Sequence, residues 1–233
     1  MKTMKLVFAT GNVNKLREAQ EILGKGFQLV TPKKMGLDGD IPETGRTIVA
    51  NSLIKAQYIF DALAKDCFAD DTGLEVEILG GEPGVNTARY AGDDRDSSAN
   101  IRKLIAEMAR QECEASAARR YGLNTIHATR KARFITTVTL FLDGKKYTFD
   151  GVMAGRIALT ESGEGGFGYD PVFIPDEVPY YELGEDQPAP ENGVLVPNWK
   201  MLTCAQISED SKNIISHRGK ALRAMAEFLN SQA

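Results

Sequence analysis

Two adjacent aspartates, Asp70-Asp71, close a short apolar run, Cys67-Phe68-Ala69, and lead into Thr72-Gly73-Leu74. Neighbouring carboxylates repel, and keeping both charged is costly unless a cation or a proton sits between them. A strand that stops at such a pair, with a tight glycine turn after it, suits a Mg²⁺ site facing phosphates. The same residues also read as an acidic turn at a strand end, because acids are common in turns. On the pair alone the two readings balance.

The flanking pattern is that of an α/β protein. Leu6 to Ala9 reads as a buried strand, Thr10-Gly11-Asn12 as a turn, and the next residues as a helix with Leu16, Ala19, Ile22 and Leu23 on one face. Gly24 is placed to end that helix. Residues 32–42 read as a loop. A second helix is expected from Thr47, its N-cap, to Leu63, with Val49, Leu53, Ala56, Phe60 and Leu63 as its apolar stripe. Cys67 to Ala69 is a short strand, and Glu75 to Leu79 a candidate third. Gly80 to Gly84 is a loop. Ser97 or Ser98 caps a third helix carrying Ile101, Leu104, Ile105 and Met108. Residues 109–132 are rich in Ala and Arg and show weak periodicity. Phe134 to Leu142 and Lys146 to Ala154 flank Asp143-Gly144, a strong hairpin signal. Gly163 to Gly168 is a second glycine-rich loop, and residues 176–200 read as an irregular excursion. A last helix runs from about Arg218 to Leu229, with Leu222, Met225 and Leu229 inward.

Bulk properties narrow the function classes. The chain has 233 residues, 42% hydrophobic and 26% charged, enough for a substantial core. Its formal net charge of −4 argues against a general nucleic-acid surface. The three cysteines, Cys67, Cys113 and Cys204, show no zinc spacing, and their odd number disfavours a disulfide framework. Leu6 to Ala9 is too short for a signal peptide's apolar region, and no segment reaches the roughly 20 apolar residues of a membrane span. A reduced, cytoplasmic setting is therefore expected.

Four further clusters carry chemical potential. Thr10, Gly11, Asn12, Val13, Asn14 and Lys15 join a strand to a helix N-terminus, which attracts anions, and Lys15 adds a full charge. The segment reads equally as an ordinary turn and cap. Asn51 and Lys55 share a helix face distinct from the predicted stripe. Glu43, just before that helix, is placed either to join the aspartates around a cation or to favour the helix start. Phe167, Gly168, Tyr169 and Asp170 combine aromatic faces with close backbone approach, as base stacking needs and as a tight turn also provides. Ser216-His217-Arg218 opens the last helix, with Lys212 just before it and only His127 as a second histidine. The Arg218 guanidinium is donor-only. Facing a purine's six-position, it suits the keto oxygen of hypoxanthine or xanthine and rejects adenine's amino group. Helix capping with a solvated basic face explains the same residues. No Ser/His/Asp triad, CxxC pair or dinucleotide glycine motif emerges.

Taken in order, these pieces resemble the inosine/xanthosine triphosphate pyrophosphatase family, the Ham1-like proteins. The resemblance rests on Ala9 to Asn12 with Lys15, Glu43-Thr44-Gly45, Asn51 with Lys55-Ala56, and Ala69 to Leu74. It continues through Pro83-Gly84-Val85, Ala88-Arg89-Tyr90, Gly166 to Pro171, Lys212 and Ser216 to Leu222. It covers nearly the whole chain. It implies an α/β fold with a central mixed sheet flanked by helices, in two lobes around a nucleotide cleft. It also implies one domain over residues 1–233 and a homodimeric, Mg²⁺-dependent enzyme. That enzyme converts ITP, dITP and XTP to monophosphate and pyrophosphate, with neither nucleic acid nor membrane as partner. By the same resemblance, Thr10 to Lys15 and Lys55 grip the triphosphate. Glu43 and Asp71 hold Mg²⁺ with Asp70 in support, and Asp71 is the general base. Thr72, Phe167 to Asp170, Lys212, His217 and Arg218 contact the substrate.

Two stretches are longer than the family pattern, at about 109–132 and 176–203, the second containing the only tryptophan, Trp199. Two rival readings stand beside this one. A Maf-type pyrophosphatase is disfavoured by Thr10-Gly11-Asn12 with Lys15 and by Ser216-His217-Arg218. A nucleotide-binding regulator without turnover would not need Glu43, Asp70 and Asp71 together.

Overall fold

The structure, a computed structural model, describes residues 3–39, 41, 43–120, 129–184 and 194–232. Its strands are β1 (Met4–Phe8), β2 (Phe27–Val30), β3 (Cys67–Val76), β4 (Pro83–Gly84), β5 (Lys131–Leu142), β6 (Lys145–Ile157), β7 (Phe173–Pro175), β8 (Glu177–Pro179) and β9 (Leu195–Pro197). Its helices are α1 (Val13–Leu23), α2 (Ile48–Leu63), α3 (Ser97–Arg120), α4 (Glu209–Ile215) and α5 (His217–Ser231). The main sheet has the order β2-β1-β3-β5-β6-β7, with β4 on β3, and β8 pairs with β9 separately. β1 runs parallel to β2 and β3, whereas β4 on β3 and β7 on β6 are antiparallel. The expected mixed sheet flanked by helices is therefore present. Among the described residues no helix is long and apolar enough to cross a membrane.

The chain divides into two compact units, and β3, β5 and β6 each contribute to both. The first comprises Met1–Thr72, Ile135–Val152 and Ser216–Ala233. Successive strand side chains point to opposite faces, and here the alternation sorts two apolar layers. Leu6 and Phe8 of β1, with Phe68 of β3, pack with Ala19 and Leu23 of α1 and Leu222, Met225 and Leu229 of α5. The Phe8 and Phe68 rings stack at 4.4 Å. Val7, Ala9, Cys67 and Ala69 pack instead with Ala56 and Ile59 of α2. In the second unit, Gly73–Phe134 and Met153–Ile215, α3 buries Ile101, Leu104 and Met108 among Leu74, Phe134 and Phe173.

Local signals fix several elements as expected. Thr47 caps α2 by accepting from the Ala50 N–H, and Gly24 closes α1 with φ of 69°. Asp143 and Gly144 both take positive φ, 48° and 72°, as a two-residue hairpin turn requires. Other expectations are corrected. β3 does not stop at the aspartates but runs through Asp70, Asp71 and Gly73 to Val76, and Glu77–Leu79 is a 3-10 turn rather than a strand. The two charges project to opposite faces, where separate cations neutralise them, so the extended backbone continues. The inward face of α2 is also rotated from the predicted stripe. Asn51, Ser52, Lys55, Ala56 and Ile59 are buried, whereas Val49 is 52% exposed. β2 and α4 were not anticipated. In the segment 109–132, α3 extends to Arg120 and β5 begins at Lys131, while residues 121–128, His127 among them, lie outside the described residues. The segment 176–203 contains β8 and β9, and its residues 185–193 also lie outside them.

Within the first unit α5 lies directly on β6 at Gly151. A Cβ there would sit 2.0 Å from the His217 carbonyl oxygen and 2.8 Å from the Ala221 nitrogen, both rigid backbone atoms. Gly151→Ala should therefore lower stability by about 1–3 kcal/mol, the usual size of an overpacking strain. Urea unfolding checks this, and an unchanged midpoint would show that α5 is not seated by this contact.

Candidate active site

The turn between β1 and α1 is shaped by its own polar side chains. Asn12 Oδ1 accepts from the Asn14 and Lys15 N–H groups at 2.9 and 3.2 Å, and Thr10 Oγ1 accepts from the Asn12 N–H at 3.1 Å. The cap occupies two of the helix's first donors. The segment's attraction for an anion thus rests on the helix dipole and on Lys15. Val13 is 77% exposed at this turn.

Lys15 reaches Asp70, Nζ to Oδ1 at 3.0 Å. On its other oxygen Asp70 accepts from Arg218 Nε at 2.9 Å, and Arg218 also pairs with Glu18 of α1. Burial alone would raise the Asp70 carboxyl. Lys15, Arg218 and Lys55 outweigh it and hold the group well below the usual carboxylate range. Burial lowers Lys15, and Asp70 offsets this only in part. For Arg218, burial is overcome by Asp70 and Glu18, which hold the guanidinium firmly charged.

The next residue serves the α2 side. Lys55 Nζ lies 2.7 Å from Asp71 Oδ1 and 3.1 Å from Glu43 Oε1. For Asp71 burial dominates and raises the carboxyl above its ordinary value, with Lys55 opposing. Lys55 is itself raised, because Asp71, Asp70 and Glu43 overcome its desolvation. The loop bearing Glu43 is fixed by Asn51, whose Oδ1 accepts from the Gly45 N–H at 2.7 Å. A Cβ at residue 45 would meet that Oδ1 at 2.8 Å, so the close approach requires glycine. Ser52 ties α2 to the sheet through Ala69 O at 3.1 Å and Thr139 Oγ1 at 2.9 Å. Thr72 and Thr136 share a hydrogen bond of 2.7 Å.

Glu43 and Asp71 therefore converge on one cation, the Lys55 ammonium. Their oxygens are hard donors, and Mg²⁺ is commonly held by one or two carboxylates together with substrate phosphates, so this pair fits the ion. Asp70, expected as a third metal carboxylate, faces the α1 and α5 side instead. Among the described residues no group of three potential ligands is arranged to hold a metal.

The second unit holds its own cluster. Asp170 Oδ2 accepts from the Phe167 N–H and from Lys212 Nζ, both at 2.7 Å. The Lys212 ammonium also sits 4.4 Å from the centre of the Phe167 ring. A Cβ at Gly166 would lie 2.1 Å from Asp170 Oδ2, and Gly166 and Gly168 both take positive φ. Tyr169, expected as a substrate contact, is a core residue whose hydroxyl donates to Thr87 O at 3.0 Å. His217 is the first residue of α5, buried behind the Ser216 cap.

Sequence reasoning named Arg218 but not its partner Glu18. The available signal was spacing, since Glu18 lies three residues from Lys15 on the same helix face. It missed Ser52 and Thr139 because nothing local distinguishes a buried hydroxyl pair from a surface one.

A mixed sheet that presents carboxylates paired with cations on both faces of one strand, beside a helix N-terminus, defines an α/β protein with a densely charged candidate site. A model of the Ham1 family matches residues 6–228, and the chain belongs to that family. It is 38% identical over 228 residues to the dITP/XTP pyrophosphatase of Flavobacterium psychrophilum, covering 98% of this chain and 100% of that one. It is 34% identical over 227 residues to the dITP/XTP pyrophosphatase of Bacillus subtilis, covering 97% of this chain and 96% of that one. Among solved structures, a HAM1 protein from Coxiella burnetii matches with a TM-score of 0.76 and 28% identity, over 98% of this chain and 100% of that one. The Staphylococcus aureus Ham1 protein matches with a TM-score of 0.73 and 30% identity over the same shares.

Removing Asp70 leaves Lys15 and Arg218 facing each other without their shared anion. Asp70→Ala should cost about 3–5 kcal/mol, as breaking a buried ion pair does. A denaturant midpoint at pH 7 within error of the parent would show that Asp70 does not organise α1 and α5.

Proposed function

We propose that the protein hydrolyses deaminated purine nucleoside triphosphates, ITP, dITP and XTP, to the monophosphate and pyrophosphate, and so cleanses the nucleotide pool. The observation that carries this reading is the buried Lys55 ammonium held between Asp71 and Glu43, on a scaffold shared with named dITP/XTP pyrophosphatases. A cytoplasmic homodimer is the setting the family resemblance implies.

Each residue then has a chemical task. Lys15 and the α1 N-terminus attract the triphosphate, and Lys55 stabilises charge that develops on it. Asp71 accepts a proton from the attacking water. The water oxygen bonds to the α-phosphorus, the bond from that phosphorus to the bridging oxygen breaks, and pyrophosphate leaves. Glu43 and Asp71 are the residues that would hold Mg²⁺, which when bound neutralises phosphate charge and aligns the triphosphate. Asp70 takes no metal in this scheme and sets the places of Lys15 and Arg218. Thr72, Phe167, Gly168, Asp170, Lys212, His217 and Arg218 are proposed substrate contacts, with Tyr169 anchoring their loop in the core. Among them the donor-only cations favour a six-keto purine over adenine. Asp70 and Glu18 keep the Arg218 guanidinium in one orientation.

Asp71→Asn should fold normally and lose about 10²–10⁴-fold in kcat, the usual contribution of a general base. Near-parental turnover in that variant would remove Asp71 from the role. The function itself is tested by pyrophosphate release from ITP, XTP, dITP, ATP and GTP, with and without Mg²⁺. Metal-dependent cleavage of the first three with little on ATP or GTP is expected. Equal rates on all five would leave a general pyrophosphatase and discard the selectivity.

A further inference from the structure

The second unit contains a hydrogen-bonded cluster that no step above uses. Glu182, in the 3-10 turn Tyr180–Leu183, places one carboxylate oxygen against the start of α4. That oxygen, Oε1, accepts from the Ser208 N–H at 3.1 Å, from the Ser208 hydroxyl at 2.5 Å and from the Ser211 hydroxyl at 2.5 Å. The Tyr181 hydroxyl lies 3.0 Å from Ser211 Oγ and is left to donate to it. Ser208 in turn caps α4. Its Oγ accepts from the Ser211 N–H at 3.2 Å and its carbonyl from the Lys212 N–H at 2.9 Å.

α4 has only seven residues, and so short a helix is marginal without outside support. Its direction must come from what grips it. One grip is apolar, through buried Ile215. The other is the Glu182 carboxylate, which ties the cap residue Ser208 and Ser211 of the first turn to a single oxygen. The residue after the second serine is Lys212, whose ammonium sits on Asp170 and over the Phe167 ring. Lys212 has a long, flexible side chain, so its place over that ring depends on where its backbone is held.

We infer that Glu182 is a positioning residue for Lys212, and that the part of the 176–203 expansion containing it serves substrate recognition by fixing α4. The inference rests on the proposed function, in which Lys212 contacts the substrate. Glu182 touches neither substrate nor metal and acts only through the helix. The residues assigned to the bond-breaking step all belong to the other unit, so the turnover number should be spared.

The test is steady-state hydrolysis of ITP by Glu182→Ala, Glu182→Gln and Lys212→Met, and by the Glu182→Ala/Lys212→Met double variant. In Glu182→Ala, KM should rise about tenfold, the size of one charged hydrogen bond, with kcat within about twofold. Gln retains an acceptor oxygen and should restore KM to within about threefold of the parent. In the Lys212→Met background, Glu182→Ala should add nothing to KM, because the two residues act on one contact. A purely structural role would lower the melting temperature without changing KM, and that result overturns the inference. A KM increase of the same size in both backgrounds also overturns it. If Lys212→Met raises KM while Glu182→Ala does not, the inference fails and the reading of Lys212 stands. If Lys212→Met leaves KM unchanged, the reading of Lys212 fails, and the inference with it.

Discussion

Everything in the first unit depends on one arrangement, two adjacent carboxylates on β3 that face opposite sides of the sheet. Had both pointed the same way, mutual repulsion would have demanded a shared cation. Because strand geometry separates them, each meets its own partners. Asp70 collects Lys15 and Arg218, which come from α1 and α5. Asp71 meets Lys55, which comes from α2 and also holds Glu43. Three helices and one loop are thus registered against two consecutive residues. The apolar layers follow the same alternation, so the charge pattern and the packing pattern specify one register.

The two aspartates also divide the chemistry. Asp70 is held firmly ionised by three cations and is suited to organising charge rather than exchanging protons. Asp71 faces fewer compensating charges for its burial, and its carboxyl is raised. Neighbouring residues of one type thereby acquire opposite acid–base character from environment alone. The Lys55 ammonium draws Asp71 and Glu43 toward one point.

Much of the fold was legible because its signals are local. The β1 strand, the Asn12 turn, the Thr47 cap, the Asp143-Gly144 hairpin and the inward face of α5 depend on residues a few positions apart. The inward face of α2 was not legible. Asn51, Ser52 and Lys55 look like solvent residues until their partners at Gly45, Thr139, Glu43 and Asp71 are known, and those partners all lie outside the helix, at no helical spacing. The continuation of β3 past its acids was hidden for the same reason, because the neutralising cations lie up to 148 residues away. β2 and α4 are short, four and seven residues, and offer little periodicity to read. The charged residues of the candidate site stand out in the sequence as separate clusters. Which carboxylate serves which cation needed the pleat of the strand.

The inward face of α2 has a consequence for how this protein can change. A helix that turns an amide, a hydroxyl and an ammonium toward its core forgoes the stabilisation that apolar side chains would supply there. Substitutions that fill this face with Leu or Met are the ones that a search for thermal resistance would favour. They would also dissolve the Glu43 loop anchor and the cation between the carboxylates. Under the proposed function, robustness and turnover therefore pull in opposite directions at Asn51, Ser52 and Lys55, so a hardier relative would have to find its extra stability elsewhere in the chain.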